Sequence, residues 1–387
     1  MDEFQFFIPV KILFGPNKIQ EIGKTVKCFG SKVLIVVGKS SAQNNGTLKR
    51  LKDCIEKEEM KTLVYAGVES NPTLEMVTKG AAKAKDFDPD VIVGLGGGSV
   101  LDSAKLISLA ATHNDDLWEY RIVGKRSING ITDTMIPIVT VSTAAGTGSE
   151  ITPAAIMTSG TSKEVFVSPY MFPKTAIIDP MLATTLSPSL TACIGIDAFV
   201  QGLEAFVANN ATTISDLFAY ESVRISYTYL KKAVADPRDV DVRAKVSLAA
   251  LLGAVSIILA GVGAVHAMAS PLSGRYGLHH GKALSLLLPE VMKHNMPACS
   301  DKFARLAEAF GLDTKRMSKE DAARNAISTT EEFLKELGLS PVKKLGIYGI
   351  AEKDLTRLSD ESMNPDMMTN PRKLSKEEVM EIFKAVL

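Results

Sequence analysis

The sequence predicts an N-terminal α/β domain built on a parallel, Rossmann-like sheet, followed by an all-α helical C-terminal domain. Three observations predict it. Short β-branched runs alternate with helical patterns through the first part of the chain, the rhythm of βαβ units. After Asp179-Pro180 such runs become rare and long helical patterns take over. The length, 387 residues, also exceeds what one hydrophobic core usually organises. The boundary is expected where Pro180 and Pro188 punctuate the chain, giving domains of residues 1–183 and 184–387.

Taken in order, residues 4–14 form an apolar N-terminal strand, suited to pairing with a second copy of the chain in a homodimer. Residues 32–37, KVLIVV, read as a buried strand. An amphipathic helix over 47–60, a strand over 62–65 and a helix over 74–85 follow, then a strand at 91–93, a helix at 101–111 and a strand at 136–141. From about residue 189 the pattern is helical to the C-terminus. Residues 247–265 carry no charge and meet the length criterion for a membrane span. Their richness in Ala, Gly and Ser reads instead as a buried core helix, because small residues let neighbouring helices approach closely.

Composition narrows the partners. Forty-four basic and 44 acidic residues cancel, and no block of like charge stands out, which argues against nucleic acid or a membrane surface as partner. The four cysteines are scattered without a CxxC pair, which fits neither a disulfide framework nor a thiolate zinc site. With early acids and no basic leader at the N-terminus, the expected location is the cytoplasm.

Two loops carry the first candidate chemistry. In DVIVGLGGGSVLDSAK, residues 90–105, a strand enters a turn of Gly94, Gly96, Gly97, Gly98 and Ser99, and a helix leaves it. Glycines let the backbone approach a pyrophosphate, and the N–H groups of the following helix favour an anion. The turn departs from GxGxxG, so a simple tight βα turn is the alternative. STAAGTGSE, residues 142–150, forms a second Gly- and hydroxyl-rich loop after a strand, at the edge where open α/β sheets bind ligands. An acidic residue at the end of the first long strand would favour NAD. Here stand Gly38, Lys39, Ser40 and Ser41, which suit a 2′-phosphate, so NADP is expected over NAD. Asn71 joins this cofactor-binding set.

A metal is suggested farther along. The stretch from Gly261 to Gly281 holds three of the five histidines. His266 and His280 are separated by a Pro/Gly-rich turn, so imidazoles from two consecutive elements can converge. Asp197 and Gln201 are spaced i, i+4 amid apolar neighbours, and a carboxylate on such a face needs a cation. Together the four offer two oxygens and two nitrogens to one divalent ion. A hydrogen-bonded core His266, a turn-capping His280 and a helix-capping Asp197 remain the alternative.

GGGSVLDSAK at 96–105, AGTGSE at 145–150, GIDAF with Glu204, HAMASPLSGRYGLHHGKA at 266–283 and Asn370-Pro371 resemble the iron-containing, or group III, alcohol dehydrogenase family. These motifs occur in the family's order along nearly the whole chain. The resemblance implies a dinucleotide domain, a helical domain and a metal between them. It implies reversible hydride transfer between nicotinamide C4 of NAD(P) and a small primary alcohol, diol or aldehyde, assisted by Fe2+, Zn2+ or another divalent metal. Asp197, His266 and His280 match family metal ligands, and Gly97, Gly98, Ser99, Asp102, Thr143, Thr147 and Lys163 match positions around the cofactor.

Two positions depart from the family. Gln201 stands where a histidine ligand is usual, and an amide oxygen is a poorer donor than imidazole. Ser270 stands where many members have a second histidine, which leaves Ser270 or His279 to move the proton. Phe166, Phe199 and Tyr276 are expected on the substrate side. A metal-independent reductase, a dehydroquinate-synthase-like lyase and a non-enzymatic dinucleotide sensor are the competing functions on this fold.

Overall fold

The computed structural model describes residues 3–339 and 345–387. The chain forms two compact units, Phe7–Thr185 and a second made of residues 3–6 with Leu186–Leu387.

The first unit contains, in order, β1 (Lys11–Phe14), α1 (Ile22–Lys27), β2 (Lys32–Gly38), α2 (Ser41–Asn44), α3 (Thr47–Glu56), β3 (Lys61–Val68), α4 (Leu74–Phe87), β4 (Val91–Gly96), α5 (Gly98–Thr112), β5 (Ile138–Ser142), β6 (Ala154–Ser159), β7 (Ser162–Val167) and β8 (Thr175–Ile178). Six strands form one sheet in the order β1-β8-β5-β4-β2-β3, with every pairing parallel. Side chains alternate across β2. Leu34 and Val36 pack with Val77 of α4 and Ala104 and Ile107 of α5 on one face. Val33, Ile35 and Val37 pack with Ile22 and Val26 of α1 and Leu51 and Ile55 of α3 on the other. Helices therefore cover both faces, which is why the strand is apolar at every interior position.

The strand order places the binding edge. From β2 the chain steps outward to β3, then returns to the opposite side of β2 as β4. That reversal opens a crevice at the carboxyl ends of β2 and β4, the usual ligand position in open α/β sheets. Gly38 ends β2 and Gly96 ends β4, so both expected loops start at this crevice.

Several boundaries differ from expectation. The helix expected over 47–60 stops at Glu56, and Glu59 adopts a left-handed φ of 61° in the turn beyond. The helix expected from residue 101 begins at Gly98, with extended Gly97 as its N-cap, so the glycine turn is tighter than the sequence suggests. The N-terminal strand is confined to Lys11–Phe14, and one of its edges is taken by β8. The antiparallel β6–β7 hairpin was not anticipated. Its signal is Gly160 at φ 58°, which begins the two-residue connection between Ser159 and Ser162.

The second unit contains α6 (Pro188–Val207), α7 (Thr213–Ala235), α8 (Val240–Ala260), α9 (Ala264–Tyr276), α10 (His280–Ala309), α11 (Lys319–Glu336), α12 (Leu355–Ser362) and α13 (Lys376–Ala385). Side-chain caps start many of them: Ser187 for α6, Thr212 with Ser215 for α7, Asp239 for α8 and Ser318 for α11. The uncharged run is not one helix. It breaks after Ala260, where Gly261 turns with a φ of 76°, and resumes in α9. Both apolar helices contribute to the core, the most apolar window of α6 being 89% buried and that of α8 50%. Phe199 of α6 stacks with Phe310 and meets Phe333 at a tilt in an aromatic cluster.

One close approach fixes the start of α10. A Cβ on Gly281 would lie 1.8 Å from the Cys193 carbonyl oxygen of α6, so only glycine allows this crossing. His280, the preceding residue, is thereby seated against the helix that carries Asp197.

Candidate functional site

Asp197, Gln201 and Glu204 sit at i, i+4 and i+7 on α6 and share one buried face. His266 comes from the first turn of α9 and His280 is the first residue of α10. Asp197, His266 and His280 each place a donor atom within 4.8 Å of the other two. The two imidazole centroids are 5.4 Å apart.

Each ring is oriented from behind. His266 Nδ1 meets Glu204 Oε2 at 2.5 Å, which leaves Nε2 directed at Asp197 Oδ1, 3.2 Å away. His280 Nδ1 lies 3.5 Å from Ser273 Oγ. Metal-binding histidines are held by an outer acceptor in just this fashion. Glu204 also accepts the Val265 N–H at 2.6 Å, and Asn370 Oδ1 accepts the Ala264 N–H at 3.2 Å. These two side chains cap the start of α9 and fix where His266 points. Asn370 is itself held by reciprocal amide bonds of 2.9 Å with Asn295.

The electrostatics ask for a cation. Burial alone would push the His266 imidazole toward neutrality, but Glu204 and Asp197 overcome it and raise its pKa to about 10. A proton on His266 thus holds together two buried carboxylates that would otherwise repel. A divalent ion satisfies the same carboxylate more fully. Tetrahedral ligation with bonds of ~2.1 Å separates donor atoms by roughly 3.4 Å, and small side-chain rotations bring a set spread over 4.8 Å to that spacing. The residues present therefore fit a divalent metal. Gln201 Nε2 donates to Asp197 Oδ1 at 3.2 Å, so its amide lies beside the donor set.

The remaining expected residues fall as follows. Ser270 is half-buried on α9, one turn beyond His266, while His279 is exposed and accepts the Lys282 and Ala283 N–H groups through its backbone oxygen. Phe199 and Phe166 are fully buried in separate packing clusters, which removes both from any substrate surface. Tyr276 is half-buried at the end of α9. Sequence reasoning assigned no role to Glu204, Ser273 or Asn370. The i+7 spacing of Glu204 from Asp197 was its available signal, whereas Asn370 is distant in sequence from the helix it caps.

In the first unit the two glycine-rich loops lie against each other. The Thr143 N–H donates to the Gly96 carbonyl at 3.0 Å. A Cβ on Gly98 would fall 2.9 Å from Thr147, so glycine is required where the loops touch. Gly97 and Ser99 open α5, whose first N–H groups have no carbonyl within the helix and suit an anion. Asp102 accepts from Ser149 Oγ at 2.5 Å and from the Ile156 N–H at 3.1 Å, and the Lys163 charge on β7 reaches it. Asn71, at a left-handed φ of 59°, precedes Pro72, whose carbonyl accepts the Thr158 N–H of β6. Beyond Gly38, Ser40 caps and Ser41 begins α2, and Lys39 forms an exposed ion pair with Glu69.

Comparison with known proteins identifies the family. The family model described as iron-containing alcohol dehydrogenase matches residues 9–180, and that described as Fe-containing alcohol dehydrogenase family, C-terminal, matches residues 191–387. The chain is 33% identical over 386 residues to 1,3-propanediol dehydrogenase of Citrobacter freundii, covering 98% of each. It is 30% identical over 374 residues to long-chain-alcohol dehydrogenase 1 of Geobacillus thermodenitrificans, covering 96% of this chain and 93% of that one. A crystal structure of 1,3-propanediol oxidoreductase superposes with a TM-score of 0.94 at 32% identity over 100% of both chains.

The outer contact predicts a loss on mutation. Glu204→Gln keeps an acceptor for Val265 but turns an amide donor toward His266 Nδ1, so affinity for Zn2+ should fall by about 10- to 100-fold. Chelator competition measures it, and unchanged affinity would show that Glu204 does not orient His266.

Proposed function

Because the chain belongs to the iron-containing alcohol dehydrogenase family, we propose that it interconverts small primary alcohols or diols and their aldehydes with a nicotinamide cofactor and a divalent metal held by Asp197, His266 and His280. The observation that carries this reading is the converging donor set, with Asp197 and His266 buried, His280 half-buried and Glu204 behind His266. When bound, the ion supplies Lewis acidity toward the substrate oxygen and the nicotinamide takes up or supplies hydride.

The chain's own residues orient and exclude. Asp197 contributes the negative charge, while Glu204 and Ser273 keep each imidazole turned with one nitrogen inward. Gln201 is a fourth, weaker ligand through its amide oxygen. Fe2+ or Zn2+ suits this mixed oxygen and nitrogen set. Gly96, Gly97, Gly98 and Ser99 hold the pyrophosphate at the start of α5, with Thr143, Thr147, Lys163, Asn71 and Asp102 around the rest of the cofactor. Gly38, Ser40 and Ser41 leave room for a 2′-phosphate, so NADP is preferred over NAD. Ser270 or His279 carries the proton between substrate and solvent.

The outer edge of β1 is free of a strand partner among the described residues, and a homodimer joined there is the proposed assembly. Sedimentation analysis should give a dimer mass, and a monomer at micromolar concentration would refute it. A cytoplasmic location is proposed, supported by four free cysteines that suit a reducing compartment. Cell fractionation tests that placement.

The central assay reduces a panel of aldehydes with NADPH and NADH before and after exhaustive chelation. Turnover should disappear on chelation, return with Fe2+ or Zn2+, and show the higher kcat/KM with NADPH. Undiminished turnover after chelation would establish a metal-independent reductase, and a higher value with NADH would reverse the cofactor preference. Gln201→His should raise the metal retained through desalting. If retention does not change, position 201 does not face the metal.

A further inference from the structure

We propose that Lys105 is a positioning residue for the dinucleotide site, fixing the loop after β5 against α5 from within the core and so setting cofactor affinity. This rests on the reading that Gly96–Ser99 and the 142–150 loop hold the cofactor. Lys105 leaves α5 two turns beyond the glycine turn, and its side chain is 0% exposed. An ammonium has three donors. Here Nζ is 3.0 Å from Ser149 Oγ, 2.9 Å from the Thr152 carbonyl oxygen and 2.7 Å from the Ala154 carbonyl oxygen. All three acceptors lie on the segment that runs from the cofactor loop into β6.

Asp102, one turn earlier on α5, grips the same segment. Its carboxylate accepts from Ser149 Oγ at 2.5 Å and from the Ile156 N–H at 3.1 Å, and it stands 4.0 Å from Lys105 Nζ. The Ser149 hydroxyl therefore accepts from Lys105 and donates to Asp102, joining the two grips. Thr147 and Gly148 immediately precede it, and Thr147 touches Gly98 at the glycine turn. A shift of Ser149 thus moves both walls of the cofactor site.

The arrangement is costly for mere packing. Burial pushes the Lys105 pKa down to about 8, against the pull of Asp102 and Glu150, and burial raises the Glu150 carboxyl to about 7. Glu150 Oε2 has no hydrogen-bond partner among the described residues. An apolar side chain at position 105 would avoid desolvating an ammonium, so stability alone does not account for the lysine. What an apolar side chain cannot do is hold three separated acceptors on a loop.

Fluorescence titration of the full-length protein with NADPH and NADH tests this, using Lys105→Met and Ser149→Ala. Each should weaken binding of the preferred nucleotide, Lys105→Met by at least about tenfold as charge-assisted bonds are lost. The alcohol KM at saturating cofactor and the bound metal should stay at wild-type values, a split that general destabilisation would not produce. Wild-type nucleotide affinity in Ser149→Ala and in any folded Lys105→Met overturns the proposal. If Lys105→Met does not fold, Ser149→Ala alone decides. Wild-type protein that binds neither nucleotide would instead overturn the dinucleotide reading itself, and this proposal with it.

Discussion

Two carboxylates buried on one face of α6 are the constraint from which the helical unit is built. Asp197 and Glu204 are each about one-twentieth exposed, so each carboxyl group needs a partner inside the core. His266 stands between them and takes up a proton strongly for that reason. The start of α9 must then lie where Glu204 and Asn370 accept its first N–H groups, and α10 must begin where Gly281 passes the Cys193 carbonyl. The donor set is thus supported from three helices at once. A small displacement of any one would leave a buried charge unmet, which costs more than a lost van der Waals contact.

The α/β unit uses a buried charge differently. Its sheet is apolar on both faces and needs no polar group to cohere, yet α5 carries a lysine into the core beneath the glycine turn. Backbone carbonyls at Thr152 and Ala154 are satisfied by that ammonium rather than by a strand neighbour alone. Loops that must fit a ligand without rigid strand pairing gain definition from such a tie. The two units therefore share a logic, in which buried ions position chemistry while apolar packing supplies stability.

Much of this was legible in the sequence, for identifiable reasons. The continuous β-branched run KVLIVV, the glycine turn and the loss of such runs after Pro180 are local signals, and the strands and helices follow them. Asp197, His266 and His280 were also legible, because carboxylate and imidazole stand out in apolar surroundings. What escaped depends on packing across long separations. The reach of Lys105 to residues 149–154 has no local pattern, and neither has the cap that Asn370 provides for α9. The break within the uncharged run at 247–265 was hidden for the opposite reason: composition shows apolarity but not that Gly261 ends the helix.

The helical unit's chemistry depends on Asp197, His266 and His280 binding one divalent ion. Elemental analysis after Fe2+ or Zn2+ loading and desalting, on wild-type protein and on Asp197→Ala and His280→Ala, tests it most directly. The account predicts about one metal per chain in the wild type and almost none in either variant. A wild-type protein that retains no metal, or variants that retain as much as the wild type, would contradict it.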